Sequence, residues 1–275
     1  GSFMNIVSSY KKDGFVIVRQ LFTPEEVANI RNSALSLPLG DRHLDLLSIP
    51  TLSHVLLDER VLGVFRELIG EDLVYYGDSS VSIDAPSHGF HKDNPDRNDP
   101  NGPDWIGEYP IVRFGLYTQS HKGLPEGLDL RQGSHLYSSI HEGKYLQADT
   151  EPGDVVFWNG RTTHSGYGMT VLGRPVDPSS IAGKLIWKFP ALRDKPKVKR
   201  AVLFGTLAAP GSHLERYILS LKSREYGVKQ ALDSRHDPAA LKAAAAAGVS
   251  VRDMKLEVTE RPYHSVRADH WQLPY

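Results

Sequence analysis

The chain of 275 residues contains no cysteine. That absence removes disulfides, thiolate metal sites and cysteine nucleophiles, and it is compatible with a reducing cytoplasm. No apolar run approaches the length of a membrane span, so a transmembrane protein is not expected. Neither sign of charge is in excess: 32 Lys and Arg face 33 Asp and Glu, a formal net of -1 with His neutral. Without a basic surplus, nucleic acid is not the expected partner. A Gly-rich phosphate cradle of the P-loop or dinucleotide type at a strand-to-helix junction is missing too. What is present is 40% hydrophobic and 24% charged residues, a balance suited to a sizeable folded core. Gly1-Ser2-Phe3 ahead of Met4 reads as a residue of cloning. The stretch from Met4 to Arg19, interrupted by Lys11, Lys12 and Asp13, does not read as a signal peptide.

Gly14 to Val18 is a β-branched run that reads as a strand. Thr23-Pro24-Glu25-Glu26 carries a helix start: Thr23 can cap, Pro24 suits the first helical position, and Glu26 completes a capping box. Leu62, Phe65 and Ile69 are spaced for one face of a second helix from Asp58 to Gly70. From Leu73 onward short apolar runs alternate with Gly, Pro, Asn and Asp clusters. Leu73–Tyr76, Ser80–Ile83, Ile111–Tyr117, Asp154–Trp158, Lys184–Phe189 and Ala201–Phe204 all read as strands. Few helical segments separate them, which points to an antiparallel sandwich or barrel rather than a parallel βαβ sheet. Helices return at His213–Leu232 and Pro238–Ala247. The expected organisation is one domain over residues 4–275. A helical part spans 4–70, a β core about 71–210, and a helical part 211–275. Two long polar loops, Asn94–Pro110 and Gly166–Gly183, have the composition of lids or binding loops.

With cysteine absent, His and carboxylates are the available transition-metal ligands. In His91-Lys92-Asp93, residues i and i+2 of a strand share a face, so His91 and Asp93 can converge while Lys92 points away. Such a triplet also fits a solvated turn and gains meaning only with a third ligand. His164 supplies one, at the end of the polar strand exit that follows Gly153-Asp154-Val155-Val156-Phe157-Trp158. Two His and one carboxylate on one side of an ion form the facial triad of non-haem Fe(II) oxygenases, with open positions for a bidentate 2-oxo acid and dioxygen. Asn94, Arg97 and Trp105 follow the triplet directly and are candidates for the substrate side. His88 and His135 read as turn or loop residues, Asp154 as a turn residue, and Trp158 as core. Tyr76, Tyr117, Thr118 and Gln119 are candidates for a cosubstrate pocket.

These segments together resemble the phytanoyl-CoA dioxygenase family of Fe(II)- and 2-oxoglutarate-dependent oxygenases. The resemblance rests on Tyr10–Arg19, Phe22–Glu26, His91–Asp93, Gly133-Ser134-His135 and Gly153–His164, in the same order along most of the chain. It implies a mainly β fold with flanking helices around a double-stranded β-helix (jelly-roll, cupin-like) core. It also implies Fe(II) on His91, Asp93 and His164, 2-oxoglutarate and O2 as cosubstrates, and a small-molecule substrate. The family holds the far carboxylate of 2-oxoglutarate with a basic residue beyond the distal His, for which the match is Arg200. The spacing of 36 residues (200 − 164) exceeds the family's usual dozen. An insertion over Val171–Lys197 must then loop out, and Arg174, at the ordinary distance, is the rival. With Asp93 in the carboxylate position, the resemblance implies hydroxylation rather than halogenation, and it leaves epimerisation, desaturation and ring formation open. Two readings stand beside it: a non-redox, cupin-like isomerase, and a catalytically silent binding protein of the same fold. Substrate identity and oligomeric state are not legible at this level.

Overall fold

The computed structural model describes residues 3–84 and 89–266. Twelve strands occur among them: β1 (Phe15–Val18), β2 (Leu73–Tyr75), β3 (Ser79–Ile83), β4 (Ile111–Tyr117), β5 (Asp129–Gln132), β6 (Lys144–Gln147), β7 (Val155–Asn159), β8 (His164–Ser165), β9 (Thr170–Val171), β10 (Arg174–Pro175), β11 (Ala201–Ala208) and β12 (Val249–Val251). A large sheet runs β1-β7-β4-β11-β2-β12, with β3 also paired to β11. Its pairs are antiparallel except β12 on β2. A small antiparallel sheet, β6-β5-β8, stands opposite. The result is an open jelly roll: helices including Glu59–Ile69 cover the outer face of the large sheet, and Ser212–Lys222 and Glu225–Asp233 pack against Tyr76, Ile111 and Ala208.

The two-residue periodicity of β4 sorts its side chains between these layers. Val112, Phe114 and Leu116 join Val155, Phe157, Leu203 and Leu207 in the core under the helices. Helix Glu59–Ile69 seats Phe65 edge-on against Phe114 and Phe157, with ring centroids 6.0 and 5.4 Å away. Gly205 makes room for this: a Cβ there would lie 2.4 Å from Phe114 Cε1. The opposite face of the sheet presents Tyr117, Val156, Trp158 and Val202 to Leu130 of the small sheet and to Leu128 and Ala148 at its margin. This thin inter-sheet layer is where the candidate metal-binding side chains gather.

The expected capping box is formed. Thr23 Oγ1 accepts from Glu26 N (3.1 Å) and Glu26 Oε1 accepts from Thr23 N (3.0 Å). Other expectations need correction. Lys184–Phe189 is not a strand: Ile181–Trp187 is a helix, started by Ser180 Oγ accepting from Gly183 N (2.9 Å). A short apolar run carries no period of its own, and here no neighbouring strand offers it a ladder. The single helix expected over His213–Leu232 is two, Ser212–Lys222 and Glu225–Asp233. The 171–197 segment forms the β9–β10 hairpin and that helix, outside both main sheets. No helix among the described residues is long and apolar enough to cross a membrane.

Candidate metal centre

His164 arrives on β8 after a turn pinned by buried threonines: Thr162 Oγ1 donates to Gly14 O (2.7 Å), and Thr163 N donates to Ser134 Oγ (2.9 Å). His91 pairs with it as an isolated antiparallel bridge, each N–H donating to the other's carbonyl at 3.0 Å. Directly opposed residues of such a pair put their side chains on the same face. The two imidazole centroids are accordingly 4.3 Å apart. Asp93 N donates to Gly160 O (3.2 Å), which brings its carboxylate to the same point. Oδ1 lies 3.5 Å from His91 Nε2 and Oδ2 3.4 Å from His164 Nε2. One ligand atom from each of the three falls within 4.8 Å of the others. Lys92 points the opposite way, as expected. It is buried, with Nζ donating to Ser134 O and Arg161 O at 2.8 Å each.

The tautomers decide what this cluster can do. His91 Nδ1 sits 3.0 Å from Gly89 O and His164 Nδ1 2.9 Å from Thr162 O. A carbonyl only accepts, so each Nδ1 is the protonated nitrogen and, in the neutral ring, each Nε2 is a lone pair. Burial holds His164 neutral, with its pKa pushed down to about 4 against the opposing pull of Asp93. Two imine lone pairs and a carboxylate therefore face one another with acceptors only. A cation at their centre resolves that arrangement, and the backbone carbonyls behind the rings fix ligand orientation in the manner of metal sites. The donor set, two His and one carboxylate, fits a borderline divalent transition metal. His91 and Asp93 are 19% and 23% exposed at the side chain, so the cluster opens to one side.

Arg200 lies just before β11 and is 2% exposed. Its Nε donates to Glu126 O (3.1 Å) and its Nη1 to Ser82 Oγ (3.0 Å). The guanidinium is 5.9 Å from the Tyr117 ring centre. From there ring contacts lead inward through Phe204 and Trp158 to His164, at 6.0, 6.2 and 5.4 Å. The Tyr117 hydroxyl is buried without a hydrogen-bond partner among the described residues, and burial pushes its pKa up to about 12. A cavity of about 380 Å³ reaches Arg200 past Arg31, Gln119, His121 and Glu126. Arg174, by contrast, sits exposed on the β9–β10 hairpin.

The remaining candidates fall in several places. Asn94 Nδ2 donates to Asp104 Oδ2 (3.1 Å) and Trp105 Nε1 to Asp96 O (3.1 Å), so both brace their own loop. Arg216 clamps that loop through Asp96 (2.6 Å). Arg97 is buried, and its charge reaches Arg224. Tyr76 packs edge-on against Tyr217 (5.6 Å), away from Arg200's side. Thr118 and Gln119 receive hydrogen bonds from Arg31 Nη1 (2.9 Å each). His135 Nε2 meets Lys11 O (2.8 Å) and ties a loop to the first helix. Asp154 accepts from Gln20 N and Glu151 N and serves the turn. His88 lies outside the described residues. Sequence reasoning passed over Arg113, whose inward position on β4 was readable from alternation alone, and over Asp78, Tyr217 and Arg224, which no motif marks.

No protein-family model and no curated protein sequence matches the chain. Solved structures do. HygX from Streptomyces hygroscopicus, with nickel and 2-oxoglutarate bound, is 16% identical over 74% of this chain and 86% of its own, with a TM-score of 0.53. EctD from S. alaskensis, with 2-oxoglutarate and 5-hydroxyectoine, is 15% identical over 74% of each chain at 0.52. The non-haem α-ketoglutarate-dependent epimerase SnoN of nogalamycin biosynthesis is 15% identical over 75% of this chain and 82% of its own at 0.51. At such identity the likeness establishes the fold: this chain has the jelly-roll fold of 2-oxoglutarate-dependent oxygenases.

Proposed function

We propose that the chain is an Fe(II)- and 2-oxoglutarate-dependent oxygenase of the phytanoyl-CoA dioxygenase type, a single domain that hydroxylates an unactivated C–H of a small polar molecule. The observation that carries this reading is the meeting of His91 Nε2, His164 Nε2 and Asp93 as three acceptors open on one side. Bound there, iron with 2-oxoglutarate supplies oxidation by O2: substrate R–H, 2-oxoglutarate and O2 give R–OH, succinate and CO2. The chain's own part is to hold the ion in one orientation and to seat the reactants. Arg200 is the seat for the distal carboxylate of 2-oxoglutarate, because it is buried, permanently charged and at the far end of the inter-sheet layer from the triad. Arg174, on an exposed hairpin, has no such surroundings.

The test is succinate release by the iron-reconstituted protein, followed across a panel of small metabolites. Asp93→Ala is expected to lose most iron affinity and nearly all coupled turnover. Full activity in that variant refutes the assignment. Product analysis then separates hydroxylation from epimerisation, since only the former adds an oxygen atom to the substrate. Turnover without O2 and 2-oxoglutarate points instead to a non-redox enzyme.

A further inference from the structure

Two arginines, Arg113 and Arg224, lie within charge range of the Asp93 carboxylate of the candidate metal cluster. Arg113 stands in the middle of β4, with Val112 and Phe114 fully buried on either side. Yet its own side chain is 21% exposed, Asp78 beside it 17%, and Asp93 23%. Partial exposure at the centre of a sheet leaves room beside Arg113 and Asp78 for a small ligand group. Arg113 Nη1 is shared between Thr206 Oγ1 (3.2 Å) and Asp78 Oδ1 (3.4 Å). Its Nε and Nη2 make no hydrogen bond within the described residues, while its guanidinium carbon lies 4.9 Å from the Phe204 ring centre. The other oxygen of Asp78 accepts from Tyr217 Oη (3.2 Å).

Arg224 lies between the helices Ser212–Lys222 and Glu225–Asp233, within charge range of the same groups. Its Nη2 donates to Ser220 Oγ (3.1 Å), and its buried Nε has no hydrogen-bond partner among the described residues. The charges that reach it are Arg97, Tyr217, Asp93 and Asp78. Those that reach Arg113 are Asp78, Asp93, Tyr217 and Tyr226. Both arginines thus draw on the same two carboxylates, and a metal claims one of these. Tyr76 Oη, fully buried and also lacking a partner, lies in the field of Asp78 and Arg113. Guanidinium groups this far from bulk water and short of acceptors form a seat for a planar or tetrahedral oxyanion.

We infer that the primary substrate carries an oxyanion group, a carboxylate or a phosphoryl group, seated on Arg113 and Arg224 beside the metal. This rests on the oxygenase reading for the word substrate, but the seat itself does not depend on iron. Holding the anion at Arg113 and Arg224 presents a neighbouring C–H to the open face of the triad, which makes these arginines specificity determinants rather than ligands of the ion.

The experiment uses the full chain loaded with Ni(II) and saturated with 2-oxoglutarate, so that the Arg200 seat and the metal are occupied. Inorganic phosphate and acetate are titrated calorimetrically, with acetamide as the neutral control. One-to-one binding of phosphate or acetate and none of acetamide is expected, and the tighter anion names the class. Arg113→Gln and Arg224→Gln should each weaken that binding by about ten-fold or more, the loss expected from one charge-assisted hydrogen bond. Arg113→Lys should retain part of it. Metal and 2-oxoglutarate affinities should stay within about two-fold of the parent chain, a constancy a merely structural role would not preserve. Arg224→Gln, at a junction between two helices rather than within a sheet, decides the matter if Arg113→Gln does not fold. Unchanged anion affinity in the Gln variants, or no anion binding by the parent chain, overturns the inference. Failure of 2-oxoglutarate to bind overturns the oxygenase reading instead, and the anion titration on the nickel protein still decides this one.

Discussion

Replacing Asp93 with Asn tests the electrostatic logic of the metal centre, because it predicts opposite signs with and without metal. In the metal-free protein each Asp93 oxygen lies 3.4–3.5 Å from an imidazole Nε2 whose lone pair faces it. An amide puts an N–H where one carboxylate oxygen was, and so gains one neutral hydrogen bond worth about 1 kcal/mol. The chelated Asn variant should therefore be at least as stable as the parent chain, with Tm equal or up to ~3 °C higher. Metal reverses the order. At a free metal concentration about 100 times Kd the parent chain gains roughly 2.7 kcal/mol, and its Tm rises by ~5–10 °C. Loss of the single anionic ligand, weakening affinity by at least about 100-fold, leaves the variant roughly 0.4 kcal/mol of that gain. Scanning calorimetry with EDTA and then with Ni(II) or anaerobic Fe(II) reads both arms. A chelated variant several degrees less stable, with the metal shift intact, would show that Asp93 is a structural anion and that the three acceptors do not share an ion.

Two further expectations concern Asp129 and Arg200. Asp129, fully buried on β5, has its pKa pushed from 3.8 up to about 7 by desolvation, against Tyr145 Oη and Gly168 N, which donate to it. The folded state thus binds the extra proton between those values, so this contribution to stability is complete below pH ~4 and is lost as pH rises through ~7. It amounts to about 4 kcal/mol as an upper figure, at ~1.4 kcal/mol per pH unit. Urea unfolding at pH 4.5 to 8 should show this slope in the parent chain and a flatter one in Asp129→Asn; parallel curves count against it. Arg200→Gln should weaken 2-oxoglutarate binding to the Ni(II) protein by about ten-fold or more, whereas Arg174→Gln should leave it unchanged, and the reverse result moves the seat to Arg174.

How much of this was readable beforehand depended on the range of the interaction concerned. The capping box at Thr23–Glu26 is closed by four consecutive residues, so residue types sufficed. The span of β4 from Ile111 to Tyr117 followed from a β-branched and aromatic run bounded by Pro110 and polar residues. Leu185–Trp187 misled, because an apolar triplet becomes strand or helix according to whether a partner ladder is at hand. Strand β5 was hidden for the converse reason. Asp129 and Arg131 look solvated, but the 166–197 excursion covers them: Gly168 N donates to Asp129, and Arg131 Nη2 donates to Ser179 Oγ (2.7 Å). The isolated His91–His164 bridge is likewise a contact across 73 residues (164 − 91) that no local pattern encodes.

Composition and motif order were enough to name His91, Asp93 and His164 as candidate ligands, because the absence of cysteine left few alternatives and strand alternation puts i and i+2 on one face. Chain folding settled the rest. It turned both imidazoles to offer Nε2, by presenting Gly89 O and Thr162 O to the other nitrogens. It buried Arg200 while leaving Arg174 in water, and it set Arg113 beside Asp78 and within charge range of Asp93. Protonation, exposure and the sharing of counter-charges arise from groups distant in sequence and close in space, and such sums exist only once the sheets have closed on each other.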